Sequence, residues 1–441
     1  MAALPVLHAQ PIIDTNLTII SRATVIDGTG APAQSGMTLV IEDNRIQALG
    51  KDGSVAVSKN AKVIDASGKY VIPGLWDMHI HLFSTRASAL PALVANGVTG
   101  VRDLGGLLRD IDEWRIKIDS GLMVGPRIFR SGPTLNGRQF GIHQVAVMNE
   151  SEARGAVRAL YKSGVDCIKV HRAISREAYF GAIDESRKLG LSVAGHIPRT
   201  VTPQEASNAG QTSIEHVITL FEGTFANSHQ NESYAAALDR FAKESADGLF
   251  ALFSSNKTAF TPTLVSHRMA TQFGRANPNS RDKYVSRSAT KWTAELVSRD
   301  KDQLTQEFYE NKAQEFRITL PLVKQMQQAG VLLLAGSDLG PAGTYPGFDL
   351  HDELDLMVEA GITPMQALQS ATRNPATFLK LNDAGTIAAG KIADFVLLDA
   401  NPLEQITNTQ KIRAVVLRGR YLDREALDGL LSEAERIAQL E

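Results

Sequence analysis

The chain is 441 residues long, 43% hydrophobic and 21% charged, with a formal net charge of −2 at pH 7. That length exceeds one small core and requires two domains or a large barrel with an appendage. A near-neutral balance draws in neither nucleic acid nor an anionic membrane, and no apolar run approaches the roughly eighteen residues of a membrane span, so neither is an expected partner.

The stretch Ala2–Gln10 ends with a small residue before a polar one, like the tail of a secretory signal, but lacks a basic start. It predicts a periplasmic or secreted protein, with a cytoplasmic chain carrying an unstructured tail as the alternative. From about residue 17, short strand-like runs (Leu17–Ile20, Met37–Ile41, Arg45–Leu49, Lys62–Ile64) alternate with turn chemistry at Asp27-Gly28, Asp43-Asn44 and Ser67-Gly68. The same texture returns in Gly385–Ile387, Ala393–Leu398 and Ile412–Leu417, with a hairpin turn at Gly419 and Arg420. Chain termini often lie close together, so residues 17–72 and 385–424 are assigned to one small β-sandwich. Arg424–Leu440 carries apolar residues at helical spacing and predicts a helix packed on the surface.

Across residues 73–384, apolar runs ending at His81, Arg102, Ser131, Lys169, His196, His216, Thr263 and Asp338 alternate with amphipathic helical stretches such as 151–162, 175–189 and 203–209. Eight strand–helix units imply a (β/α)8 TIM barrel. His216 and Asp338 are farther apart than two units require, leaving about sixty extra residues. They fall in a helical insertion at about 221–316, read as a cover over the active-site mouth or an oligomer contact, against a solvated excursion without a role. Cys167, the single cysteine, reads as a small buried hydrophobe rather than a nucleophile and excludes an internal disulfide.

Histidines at i and i+2 of a strand face one side, so His79 and His81 can converge on a metal. A lone pair at this spacing is weak. However, Lys169, His196, His216 and Asp338 also close barrel strands, and strand ends form one ring around a TIM-barrel active site. Imidazole and carboxylate suit zinc and its neighbours, and the scarcity of cysteine argues against a thiolate site. An ammonium only donates and repels cations. Lys169 therefore fits as a ligand if carbon dioxide carbamylates it to a carboxylate able to bridge two metals; otherwise it is a core lysine paired with Asp338.

Here the chain resembles the amidohydrolase superfamily, through Pro73-Gly-Leu-Trp-Asp-Met-His-Ile-His81, Ile168-Lys-Val170, Gly195-His196, Glu215-His216, Gly336-Ser-Asp338, His351-Asp-Glu-Leu354, Ala371–Ala376 and Gly385–Asp394. The segments 97–103, 131–133 and 261–264 are similar to its imidazolonepropionase-related branch, which includes prolidase-type dipeptidases, carboxypeptidase-like enzymes and ochratoxin-hydrolysing amidases. The resemblance runs from about residue 18 to 420. It implies the barrel with its β-sandwich, a binuclear site with a carboxylated lysine, and a homo-oligomer acting on a small-molecule substrate.

In that frame His79, His81 and Asp338 hold the more buried of two divalent metals, zinc by expectation, and His196 and His216 hold the other, with carbamylated Lys169 and a hydroxide between them. The leading reading is hydrolysis of a C–N amide or peptide bond in a dipeptide, N-acyl amino acid or ochratoxin-like amide. Asp338 would carry the proton from water to the leaving amine. His143 is assigned to the substrate carbonyl or oxyanion, and His171 and Arg172 to substrate binding, Arg172 at a carboxylate. Arg102 and Asp103 are expected as an ion pair under the site, His351 as support for the ligands, and His229 and His267 carry no role. The alternatives are a lactonase or phosphotriesterase-like hydrolase on the same site, or a barrel that has lost catalysis. A one-metal deaminase is disfavoured by Lys169.

Overall fold

Seven parallel strands of the computed structural model stand where the apolar runs predict: Leu75–Ile80, Val98–Asp103, Arg127–Arg130, Cys167–Val170, Ser192–Gly195, Ser213–Glu215 and Ala259–Thr261. The structure describes residues 17–55, 61–139, 141–229, 231–275, 278–340 and 343–441; the signal-like stretch Ala2–Gln10 lies outside them. The eighth position, Leu332–Leu339, is held by single bridges, Leu333 to Phe260 on one side and Leu339 to Ile80 on the other. Met78 N donates to Ala335 O (2.9 Å) and Asp338 N to His79 O (2.8 Å), closing the ring. The left-handed backbone of Asp338 (φ 57°) breaks any regular ladder there. Asp166 N donates to Arg130 O (2.9 Å) and bridges the third and fourth strands.

The covering helices begin at side-chain caps. Asn149, Ser175 and Thr202 accept backbone N–H groups at the starts of Glu150–Lys162, Arg176–Lys188 and Pro203–Ala209, and Thr202 with Glu205 forms a reciprocal capping box. Each turns an apolar stripe inward; Ala153, Val157 and Leu160 are the buried face of the first. The insertion is interrupted by the seventh strand. Tyr234–Arg240 and Ala246–Asn256 precede it, and Leu264–Ala270 and Arg287–Asp300 follow. Ser286 Oγ donates to Ser84 O (3.0 Å), tying the start of the last of these to the loop after the first barrel strand.

Both chain ends meet in one eight-stranded sheet. Tyr70–Pro73 joins them, pairing in parallel with Leu17–Val25 and antiparallel with Phe395–Leu398. The sheet has its own apolar cluster, including Ile20, Leu39, Val71, Phe395 and Val416. The hairpin from Ile412–Leu417 to Arg420–Leu422 turns on Arg418 and Gly419, both with positive φ. A Cβ on Gly419 would stand 1.7 Å from Asp43 O, so only glycine fits. The helix Arg424–Ala438 packs on Ala89–Ala95 and buries Leu427 and Ala434.

His351 corrects an expectation. Its ring bonds Thr409 Oγ1 (2.9 Å) and Asn96 O (3.0 Å), at the entrance to the second strand rather than beside the ligands at the strand ends. On the same helix, burial pushes Glu353 up to about 8; one carboxyl oxygen accepts Val265 N (2.8 Å) and the other has no partner among the described residues. An unfolded glutamate ionises near 4.5, so this contribution to stability is full below that pH and is lost as pH rises towards about 8. Glu353→Gln should therefore gain thermal stability over the parent progressively between pH 5 and 8 by calorimetry, with little difference near pH 4; a pH-independent offset contradicts the burial argument.

Candidate metal centre

The ends of the first strand and the eighth segment bring His79, His81 and Asp338 together, with one ligand atom from each lying within 4.8 Å of the others. Asp338 Oδ1 is 3.4 Å from His79 Nε2 and 3.2 Å from His81 Nε2, while Ser266 Oγ donates to Oδ2 (2.8 Å). His79 is fully buried and its Nδ1 bonds Glu215 Oε2 (2.9 Å). Burial pushes Glu215 up, but Arg102, whose Nη2 donates to Oε1 (2.8 Å), and His79 more than offset this and keep it ionised. The proton on His79 must then sit on Nδ1, leaving the Nε2 lone pair facing Asp338 and Lys169 Nζ (3.3 Å).

His216 reaches the same tautomer by another route. The Thr263 hydroxyl donates to Pro262 O (2.7 Å), so its oxygen accepts from His216 Nδ1 (2.7 Å) and the Nε2 lone pair is free. His216, Thr263 and Asp338 all hold left-handed backbone (φ 68°, 52° and 57°) at strand ends. Non-glycine residues there are uncommon and concentrate at functional sites. The rings form a chain: His79 to His216 at 4.6 Å, His216 to His196 at 4.8 Å and His196 to His171 at 4.4 Å. Gly195 permits it, since a Cβ there would lie 2.1 Å from Val170 O. Burial first, with positive neighbours after it, holds His79 near 4 and His196 and His216 well below the usual histidine range. Neutral imidazole is the ligating form.

The donor set fits a divalent metal. Two imidazoles and one carboxylate converge, the His216 and His196 rings continue from them, and the buried Nδ1 atoms of His81 and His196 have no hydrogen-bond partner among the described residues. Lys169 is 1% exposed, and burial lowers its amine to about 8. Its nearest contact in the site is His79, not Asp338. Asp77 locks the first strand to the eighth: its Oδ1 accepts His79 N (3.2 Å) and Ser337 N (2.9 Å), and its Oδ2 accepts Ser337 Oγ (2.5 Å).

Substrate-side expectations divide. His143 and His171 both line a cavity of about 540 Å³ beside the ligand set. The His143 ring stacks on Phe83 (4.0 Å, 6°), and the Phe83 ring lies 5.7 Å from that of His81. Burial lowers His143 to about 4 and His171 to about 3, so both are neutral. Arg172 lines the cavity too, but its Nη1 is held by Glu222 Oε1 (2.8 Å). Arg102 and Asp103 are not an ion pair. Neighbours on a strand face opposite sides: Arg102 turns inward to Glu215, and Asp103 accepts Leu82 N (2.7 Å) and Gly106 N (2.9 Å). Cys167 is buried and its thiol is pushed up to about 12 by desolvation, as an inert core residue. Sequence reasoning missed the roles of Glu215, Thr263 and Ser266. It also passed over His267, on the helix that carries Ser266, whose buried Nε2 has no partner among the described residues.

With this geometry in view, comparison with known proteins is informative. The ochratoxinase of Aspergillus niger is 23% identical over 93% of this chain and 88% of its own. The crystal structure of a putative prolidase from Bifidobacterium longum superposes with a TM-score of 0.72 at 25% identity, covering 95% of this chain and 99% of that one. A bottromycin amidohydrolase gives 0.76 at 22% identity, covering 96% and 91%. The amidohydrolase family itself matches residues 70–422, most of the chain, and to that family the chain belongs.

Proposed function

We propose that this amidohydrolase-family hydrolase cleaves the C–N bond of a small amide or peptide, a dipeptide, N-acyl amino acid or ochratoxin-like amide, using two divalent metals, with zinc the expected ion. The observation that carries the reading is the pair of buried histidines, His79 and His216, each fixed by a separate hydrogen bond so that Nε2 is free to ligate. His79, His81 and Asp338 would hold one ion and His196 and His216 the other, with Lys169 between them as its carbamate. An amine lowered to about 8 has a larger unprotonated fraction at neutral pH than an exposed lysine, and that form adds carbon dioxide with loss of one proton. When bound, such ions acidify a water molecule and polarise a carbonyl oxygen.

The residues supply the rest. Asp338, its Oδ2 held by Ser266, accepts the proton of the attacking water and returns it to the leaving nitrogen. His143 and His171, both neutral and lining the cavity, would donate to the scissile carbonyl. The likeness to an ochratoxinase and to prolidase and amidohydrolase structures supports an amide over an ester or phosphotriester.

A panel of dipeptides, N-acyl amino acids and lactones, assayed after expression with added zinc, should show amide hydrolysis with about two ions per chain by mass spectrometry; less than one ion, or lactone turnover alone, overturns the reading. Lys169→Ala should lose at least half the bound metal and nearly all activity. Glu215→Gln keeps an acceptor for His79 but removes the counter-ion of Arg102. It should lower metal affinity and kcat/KM by roughly 10–100-fold, measured by chelator competition and initial rates.

A further inference from the structure

The cavity beside the ligand set is lined by four arginines, Arg138, Arg172, Arg199 and Arg299, and one acid, Asp300. Two of the cations are paired with acids, and Arg138 also has a partner. Arg299 forms a two-point bond with Asp300 (2.7 Å at each oxygen), and Arg172 is bonded to Glu222. Arg199 makes no ion pair with any described residue, and it is exposed. Its place is fixed by the backbone, since Arg199 N donates to Arg172 O (3.1 Å) and so locks the loops after the fourth and fifth strands together. Arg172 lies three residues beyond Lys169, and Arg199 three beyond His196. Three residues of chain span at most about 10 Å of backbone, and Arg199 lines the same cavity as His171, whose ring lies 4.4 Å from that of His196.

Part of the lining is apolar. Trp292 and Leu296, four residues apart on the helix Arg287–Asp300, share one face and line the same cavity. The Trp292 ring meets that of Phe83 at 5.4 Å, which continues the aromatic surface to His143. A site whose lining combines a cation without an ion-pair partner and an aromatic face recognises a group that is both anionic and apolar.

We propose that this cavity holds the amino-acid portion of the substrate, with Arg199 binding its free carboxylate and Trp292 and Leu296 covering its apolar side chain. This rests on the amide-hydrolase reading for what is cleaved, but the binding step stands by itself. It moves the carboxylate contact from Arg172, which Glu222 occupies, to Arg199. The insertion also gains a role, because the helix after the seventh strand supplies one wall of the specificity pocket. A guanidinium facing a carboxylate is a strong, directional partner, and Arg199 is a specificity residue that does not touch the reacting atoms.

The proposal is tested by calorimetric titration of the metal-loaded full chain with 3-phenylpropanoate and its uncharged analogue 3-phenylpropanamide. The acid should bind at least about tenfold more tightly. In Arg199→Gln that preference should collapse to about twofold or less, with Arg199→Lys intermediate. Trp292→Ala should weaken both probes alike and leave their ratio near the parent value. Equal binding of acid and amide by the parent overturns the proposal, and so does a preference that survives in Arg199→Gln, which would place the carboxylate on the metals or on Arg172. Hydrolysis of an N-acyl amino acid and of its C-terminal amide is followed in parallel. An Arg199-dependent preference for the acid probe, without turnover of either amide, would uphold the pocket and overturn the amide-hydrolase reading alone.

Discussion

The site depends on a charge pair that never meets water. Arg102 and Glu215 are 1% and 0% exposed, and their 2.8 Å contact is the anchor for His79. Removing two ions from water costs several kcal/mol each, and attraction alone does not reliably repay it. The pair is therefore poorly explained as a device for stability. Its consequence is geometric. An ionised Glu215 can only accept, so the His79 proton is confined to Nδ1 and the lone pair is turned to the centre of the barrel. Arg102 makes that ionisation possible and is itself spread over Met78 O (2.7 Å), Ser213 Oγ and Thr261 Oγ1 (3.3 Å each). Those three partners belong to the first, sixth and seventh strands in turn, so one side chain reads the closure of the barrel and reports it to a ligand.

Closure itself is unusual in the same region. The eighth segment forms no regular ladder, and Asp77 compensates by gripping Ser337 N and Oγ from the first strand. An irregular segment lets Asp338 adopt a left-handed backbone and swing its carboxylate between His79 and His81. A regular strand end would have presented it along the strand's own face alternation. Strained backbone at His216, Thr263 and Asp338 is thus concentrated where three side chains must leave the pleat and point at one place.

This explains which parts of the molecule were legible in the sequence. His79 and His81 could be read because period-two alternation is local, and the apolar runs before Lys169, His196 and His216 marked strand ends to within two residues. The sheet from both chain ends was legible for the same reason. Partnerships between strands were not. Arg102 looked like the partner of Asp103 because they are adjacent, yet its true partner is 113 residues away. His351 sat in a motif beside the site residues, but a helix face is set by packing, and this one turns the ring to Asn96 and Thr409. Arg172 read as free because Glu222 lies in the next loop but one. The insertion was legible as an excess of length only, since nothing in its periodicity aligns Trp292 with a barrel loop.

The division of labour that results is physical. On the barrel strands His79, Arg102 and Glu215 are buried and oriented by hydrogen bonds to one another across strands. Residues three positions beyond them are partly exposed, cationic and held by loop backbone. The first set tolerates little change, because altering one partner strands a buried charge or proton. The second can be altered at smaller cost to the barrel, since neither Arg199 nor Trp292 makes a side-chain hydrogen bond to a ligand histidine among the described residues. Chemistry and substrate choice therefore sit on different layers of the same strand ends, and the insertion adds its wall to the outer layer alone.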